Sequence, residues 1–504
     1  MMLPPLVTES ASLLAAAPAI ATLLAATGAS VARRIDSAWR LASAGVTAAL
    51  LLAAALGAAV VLGTTGAGSA LRLDGVGAVV TLLVAFIGAV IVRYSRRYLE
   101  GEPGALRYPA WLMGTIAAVQ LVLAANHLLV LALVWTAASL TLQRLLVFFP
   151  ERPAAVAAAH KKFLVSRTAD VAMLAACALA YAATGQLRID ALAAQAEPPA
   201  MLQAAVVLIA LAAVLKCAQL PFHGWLIQVM EAPTPVSALL HAGVVNLGGV
   251  VLIRFAPLVA QTPPATALLV VSGALTAVFA ALVMTTRISI KVSLAWSTCA
   301  QMGFMLMQCG LGLWAMALLH LVAHSLYKAH CFLGAGGVVR QELVRRLAPA
   351  APPAGAGALA AATLASLAAV GAAAALFGLH ESRHGALWTL AGIAALAFVP
   401  LLRGDVGANA LRGAAAAFAL ACVYFGLHAL LAERVAPAEA VPAAPWWVLV
   451  SVLFAALYVL QSLIALHPQG TLARRLYPWF YGGLFLDERL SRVLFRLWPP
   501  RAST

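Results

Sequence analysis

Several basic side chains in this chain sit inside apolar sequence, and the chemistry they suggest is proton or cation transfer. The stretch Leu215-Lys216-Cys217-Ala218-Gln219-Leu220-Pro221-Phe222-His223-Gly224-Trp225 carries a lysine at the end of an apolar run and breaks at Pro221. The chain breaks again at Pro233 and Pro235, and the next apolar run carries His241. A charge within a bilayer is expensive, so an intramembrane lysine marks a functional site by default. A broken helix at membrane depth survives only where protein buries it or where it lines a wet cavity. Histidine titrates near neutrality and burial penalises a lysine's charged form, so both types can trade protons.

A second group reinforces the first. His320, His324 and Lys328 are spaced i, i+4, i+8, which puts them on one helix face. They would stack over about 12 Å at 1.5 Å per residue, enough to hand protons along the membrane. Arg167 and Asp170, at i, i+3, either pair with each other or load protons from the cytoplasm. Glu231 is the only acid between Glu197 and Glu342, and it either modulates Lys216 or caps the helix that starts near Pro235. Lys291, with Trp296, Ser297 and Gln301, lines one side of its span or marks its cytoplasmic end. Arg254 reads as an interface anchor.

These side chains need helices across a bilayer to position them. Of 504 residues, 64% are hydrophobic and 10% charged, and mean hydropathy is +0.97. Apolar runs of about 17–24 residues recur, each long enough to cross roughly 30 Å of hydrocarbon. The pattern predicts an all-α polytopic membrane protein of about fifteen spans, and excludes a β-barrel, which would alternate in short segments. The spans are expected near 13–32, 41–63, 76–94, 109–125, 127–147, 163–184, 202–231 (broken), 236–256, 266–284, 291–311, 313–336, 356–378, 386–402, 410–431 and 446–466. The Pro/Ala linker before 356 divides them. Residues 1–336 form a core holding nearly all the buried polar groups, and 356–466 are further, chemically bland helices that pack, support or dock. Residues 467–504 form a tail mixing arginine with aromatics, read as an interfacial amphipathic helix that can also dock a cytoplasmic partner.

The net charge of +15 does not indicate nucleic acid. About 23 of the 32 Lys and Arg fall in alternate loops, and about four (Arg72, Arg188, Arg383, Arg434) in the loops between. That is the positive-inside pattern. It places the N-terminus outside and the C-terminus in the cytoplasm of a bacterial inner membrane, which requires an odd number of spans. The first apolar run has no basic leader and the parity needs it, so it is kept as a span. The six cysteines all lie in apolar runs without a Cys-x-x-Cys, as small buried hydrophobes. No metal-ligand spacing, nucleotide-binding loop or nucleophile elbow is present, so no metal, cofactor or catalytic group is assigned to this chain.

The two segments Lys216-Cys-Ala-Gln-Leu-Pro-Phe-His-Gly-Trp-Leu and Ala232-Pro-Thr-Pro-Val-Ser-Ala-Leu-Leu-His241-Ala resemble the signature of the proton-translocating, antiporter-like subunits of respiratory complex I. Lys291-Val-Ser-Leu-Ala-Trp-Ser-Thr-Cys-Ala-Gln-Met-Gly-Phe-Met, His320-Leu-Val-Ala-His324-Ser-Leu-Tyr-Lys328-Ala and Val165-Ser-Arg167-Thr-Ala-Asp170-Val match further blocks, so the resemblance covers about residues 75–336. It implies inverted five-helix repeats, each with a broken helix. It also implies Lys216 as the central switching lysine, His241 beside it, and His320, His324 and Lys328 as the connecting relay. Two departures stand out. The family's acid after a tryptophan is missing, since Thr136 follows Trp135, and no lysine occurs after Lys328. Only His380, Arg383 and His384 lie where the second lysine would fall, and they are not assigned. No long lateral helix is expected after the last span.

A shorter member with these features resembles the membrane subunits of DAB-type inorganic carbon pumps. That resemblance implies a large cytoplasmic partner with a zinc site like that of a β-type carbonic anhydrase, and ion flow driving hydration of carbon dioxide to bicarbonate. The expected function is a proton- or cation-conducting subunit of such a complex, not catalytic alone. The alternative is an ion-pumping subunit of NADH-quinone oxidoreductase or of a multisubunit sodium/proton antiporter.

Overall fold

A computed structural model describes residues 13–347, 355–379, 385–402, 408–435 and 443–499. His380, Arg383 and His384 lie outside the described residues. Helices dominate, and each of the fifteen expected spans coincides with one or more of them. Those that position the site are α1 (Ala17–Val31), α2 (Ile35–Val61), α3 (Gly75–Tyr98), α4 (Tyr108–Ala124), α5 (Leu128–Leu146) and α6 (Pro153–Thr184). After the short α7 (Ile189–Ala193) come α8 (Ala200–Lys216), α9 (Gly224–Gln228), α10 (Thr234–Leu239) and α11 (Leu247–Arg254). The short α12 (Ala256–Ala260) precedes α13 (Pro263–Met284), α14 (Ile290–Gly310), α15 (Trp314–Leu333) and α16 (Val338–Leu347). The C-terminal block is α17 (Ala356–Leu376), α18 (Gly385–Leu402), α19 (Ala408–Val435) and α20 (Ala444–Leu466), and the tail is α21 (Thr471–Tyr481) and α22 (Leu486–Leu497).

Among the described residues, ten helical stretches are by themselves long and apolar enough to cross a membrane. The other five expected spans fall short for two reasons. Helices α1, α4 and α8 are apolar but only 15–17 residues long. Helices α14 and α15, of 21 and 20 residues, are long enough but carry Ser, Thr, Gln, His and Lys. These two polar helices carry Lys291, His320, His324 and Lys328, while Lys216 and His241 sit on apolar segments.

The burial pattern is that of a protein solvated by lipid. Large apolar side chains face outward along the helices, such as Leu51, Leu133, Val171, Leu364 and Val452. Lys161 and Lys328 are fully buried. Close helix contact relies on small residues: a Cβ at Gly273 would fall 2.5 Å from the Gly303 carbonyl oxygen, so α13 and α14 pack backbone to backbone.

At one end of the bundle a two-stranded hairpin (Gly66–Ala67 with Arg72–Leu73) meets the loops that follow α4 and α6. Asn126 joins them, donating to the Gly68 carbonyl at 2.7 Å and to Asp190 Oδ1 at 3.1 Å. Arg254 anchors the same end. It donates to the carbonyls of Leu123 and Ala125, closing the orphan C-terminus of α4, and pairs with Asp74 at 3.8 Å. Its residue is 5% exposed, so it is an internal staple and not the interface anchor expected from sequence.

The opposite end is held by the tail. Arg287 donates to the Phe480 carbonyl at 3.0 Å, and His160 meets the Trp498 carbonyl at 2.9 Å. The C-terminal block joins α13–α15 through an apolar cluster that includes Val270, Met307, Met316, Val370, Phe425 and Val450.

Candidate functional site

Helix α8 ends at Lys216, and Cys217–His223 are not helical. Ala218 takes φ +54° there, a left-handed conformation that non-glycine residues rarely adopt. Some polar groups at the break find partners inside the protein, whereas Gln219 Oε1 and His223 Nε2 have none among the described residues. The Leu220 N–H donates to Thr276 Oγ1 at 3.0 Å, and Gln219 Nε2 donates to the Cys217 carbonyl at 2.8 Å. Cys217, Ala218, Gln219 and His223 of the break are buried in protein, while Pro221 is exposed.

The Lys216 ammonium lies 2.7 Å from Asp170 Oδ1, and its side chain is 7% exposed. Asp170 Oδ2 in turn lies 2.7 Å from the Arg167 guanidinium. The face of Trp135 covers the ammonium, with Nζ 4.6 Å from the ring centre. Asp170 thus pairs with Arg167, as the spacing allowed, and with Lys216 as well. The tryptophan that precedes the missing acid is in place, and a carboxylate from α6 meets the lysine instead. Lys162, also on α6, is buried beside this group and donates to the Ser139 carbonyl and hydroxyl at 2.6 and 2.8 Å.

His241 lies in a π-helical turn, Leu240–Val244, between α10 and α11. Such turns are rare and cluster at functional sites. Its ring stacks on Phe332 of α15, centroids 4.5 Å apart, and both ring nitrogens are buried without a hydrogen bond. His324 reaches the backbone of His241 from the same helix. The His320 and His324 rings lie 5.9 Å apart, as their shared face requires. Lys328 turns toward α14 and donates to the Leu294 carbonyl at 3.1 Å. Asn246 bridges α11 and α15 by donating to Ser325 Oγ at 2.7 Å. The structure therefore brings His241, His320, His324 and Lys328 to one interior seam.

At its far end the seam opens on a cavity of about 710 Å³ between α13–α15 and the C-terminal block. His320, His324, Gln308 and Gln301 line it from the core, and Tyr424 and Gln461 from the added helices. His320 Nδ1 lies 3.2 Å from Gln308 Oε1. The block expected to be bland thus contributes polar groups next to the histidines.

The two supporting residues fall elsewhere. Glu231 pairs with Arg152 at 3.7 Å in a half-exposed contact, and neither meets Lys216 nor caps α10. Glu231 lies beyond the break, just before the second one at Pro233, and its side chain is 46% exposed. Lys291 is half-buried at the first turn of α14, as a span end would be. Asp487 of the tail had no place in the sequence reading. It accepts from Lys161 and, at 2.6 Å, from Gln228 Nε2, directly under α9. Ser491 accepts from Lys161 at 2.6 Å. The His223 ring lies nearby, tilted against Trp296 with centroids 4.9 Å apart. Among the described residues, no three His, Cys, Asp or Glu side chains are grouped to hold a metal ion.

Residues 125–351 match the family model described as NADH:quinone oxidoreductase/Mrp antiporter, TM, and residues 61–109 match NADH-Ubiquinone oxidoreductase (complex I), chain 5 N-terminus. The fold and site thus define an antiporter-like membrane subunit. A probable inorganic carbon transporter subunit DabB of Hydrogenovibrio crunogenus is 41% identical over 432 residues, 83% of this chain and 82% of that relative. The DabB2 subunit of Halothiobacillus neapolitanus is 39% identical over 447 residues, 85% of this chain and 80% of the relative. The chain belongs to the DabB family of antiporter-like membrane subunits. In the Mrp complex from Dietzia sp. DQ12-45-1b, one chain is 26% identical with a TM-score of 0.56, covering 98% of this chain and 57% of its own length. An archaeal membrane-bound sulfane sulfur reductase chain shares the fold at 17% identity and a TM-score of 0.58.

Proposed function

We propose that this chain conducts protons across a bacterial inner membrane as one subunit of an energy-coupled inorganic carbon uptake complex. The observation that carries the reading is the buried Lys216–Asp170 ion pair, capped by Trp135 at the break between α8 and α9. A buried ion pair is a weak source of stability, so its place at a helix break argues for use. When the pair opens, Lys216 can release its proton toward His241, and the stacked His320 and His324 carry it along α15. Lys328 neighbours this seam, and Arg167 holds Asp170 in place. The DabB relatives named above support inorganic carbon as the transported class. The chemistry on carbon then belongs to a large cytoplasmic partner with a zinc site, and the tail-bearing end faces that partner.

The test uses the tagged chain purified from its native membrane with whatever accompanies it. A large zinc-containing cytoplasmic protein is expected to copurify. Respiratory or antiporter subunits in its place would move the chain to the alternative class, which the match at residues 125–351 also accommodates. In vesicles holding the complex, Lys216→Met is expected to abolish proton flux, and cells relying on the protein should lose bicarbonate accumulation. Unchanged accumulation in that variant would overturn the reading.

A further inference from the structure

Lys162 is a buried lysine that the path above does not use. Its residue is 3% exposed, and it has no carboxylate within ion-pair reach among the described residues. Among the described residues its hydrogen bonds are those to the Ser139 carbonyl and hydroxyl. The charged groups around it are Lys216, Arg167 and Asp170. Three bases therefore share one acid in a water-poor interior, where like charges repel strongly.

Arginine does not release its proton in proteins, so within this group the mobile protons belong to Lys162 and Lys216. Ser139 suits a lysine that changes state. Toward an ammonium, its carbonyl and hydroxyl both accept. Toward a neutral amine, the carbonyl still accepts and the hydroxyl turns to donate to the nitrogen lone pair. Neither state leaves Ser139 without a partner. Placement fits as well. Lys161, the preceding residue, faces the tail through Asp487, and Arg167 and Asp170 follow on the same helix. Lys162 thus stands between the tail-facing end of α6 and the switching lysine.

From this geometry we infer that Lys162 is the proton donor that reloads Lys216, an inference that rests on the conduction reading. In the step, an N–H bond of the Lys162 ammonium breaks and the proton passes over hydrogen-bonded water to the neutral amine of Lys216. Lys162 is left as an amine held by Ser139. Asp170 stays ionised throughout and attracts the cation at either lysine. Lys162 then takes a fresh proton from the tail-facing side.

The experiment measures proton flux in vesicles holding the whole complex, for wild type, Lys216→Met, Lys162→Arg, Lys162→Met and Lys162→His, with thermal unfolding recorded for each. Arginine keeps the charge and the donors but cannot give up a proton. A lysine with a purely structural or electrostatic role would therefore tolerate it. Lys162→Arg is expected to unfold as wild type does and to lose flux roughly a hundredfold, the usual worth of a proton-transfer group. Flux within about twofold of wild type in that variant would overturn the inference. Should Lys162→Arg fail to fold, the comparison of His with Met decides. The titratable imidazole should conduct well above Met, and equal fluxes from two folded variants would sink the idea. If wild type conducts no better than Lys216→Met, the conduction reading itself has failed.

Discussion

Asp170→Asn removes the one carboxylate in the Lys216 cluster while keeping its volume. Asp170 makes two ion-pair contacts of 2.7 Å, to Lys216 and to Arg167. One such contact has a gross Coulomb attraction of about 6 kcal/mol at an effective dielectric constant near 20. Desolvation offsets most of it. The net loss follows from what remains: the Lys216 and Lys162 side chains buried beside a partly exposed Arg167, with no counter-charge. Removing one partner of a buried pair costs about 3–5 kcal/mol, roughly two to three and a half decades in the folding equilibrium. Unfolding in detergent, followed by tryptophan fluorescence against denaturant, reads this directly, and Trp135 reports from the site itself. The double variant Lys216→Met/Asp170→Asn removes both members and should lose less than Asp170→Asn alone, because the stranded ammonium is gone. Flux should vanish in both. A loss under about 0.5 kcal/mol for Asp170→Asn, the size of a surface change, would refute the buried-pair reasoning. So would a double variant less stable than the single one.

Other variants probe the rest of the site. A Cβ at Gly224 would clash with the Asp487 carboxylate, so Gly224→Ala should push α22 off the core and expose the tail to limited proteolysis, with Asp487→Ala relieving the clash. Equal digestion of Gly224→Ala and wild type would mean that Asp487 does not press on the broken helix. His241→Phe preserves the stack on Phe332 and strands no hydrogen bond, since neither ring nitrogen makes one. That variant should fold normally and conduct poorly, and normal flux would reduce His241 to a packing residue.

Much of the site was legible in the sequence because membrane sequences penalise polarity so heavily. Lys216, His241, His320, His324 and Lys328 stood out as charges and imidazoles in apolar runs; His241, His324 and Lys328 are buried, and Lys216 and His320 partly so. The i, i+4 spacing on α15 correctly placed His320 beside His324. What spacing missed were the contacts between helices. Asp170 and Lys216 are 46 residues apart, and nothing along the chain says that α6 and α8 turn those faces together. Nothing along the chain set Lys162 apart from Lys161, although the one helical position between them sends one to Ser139 and the other to Asp487. Asp487 lay in a tail whose amphipathic pattern suggested a lipid surface, while its acid docks on Lys161 and Gln228.

The sequence alone determined the class of protein, the helical spans, the two breaks at Pro221 and Pro233–Pro235, and the titratable residues available to a path. Those follow from local rules: apolar length, helix period, and the conformations proline forbids. Tertiary structure alone decided which carboxylate answers Lys216, where Glu231 and Arg254 point, and that the C-terminal helices help line an open, largely apolar cavity that reaches His320. Each of these depends on the rotation of one helix against another. That rotation is set by the packing of many small side chains at once, and no single stretch of sequence carries it.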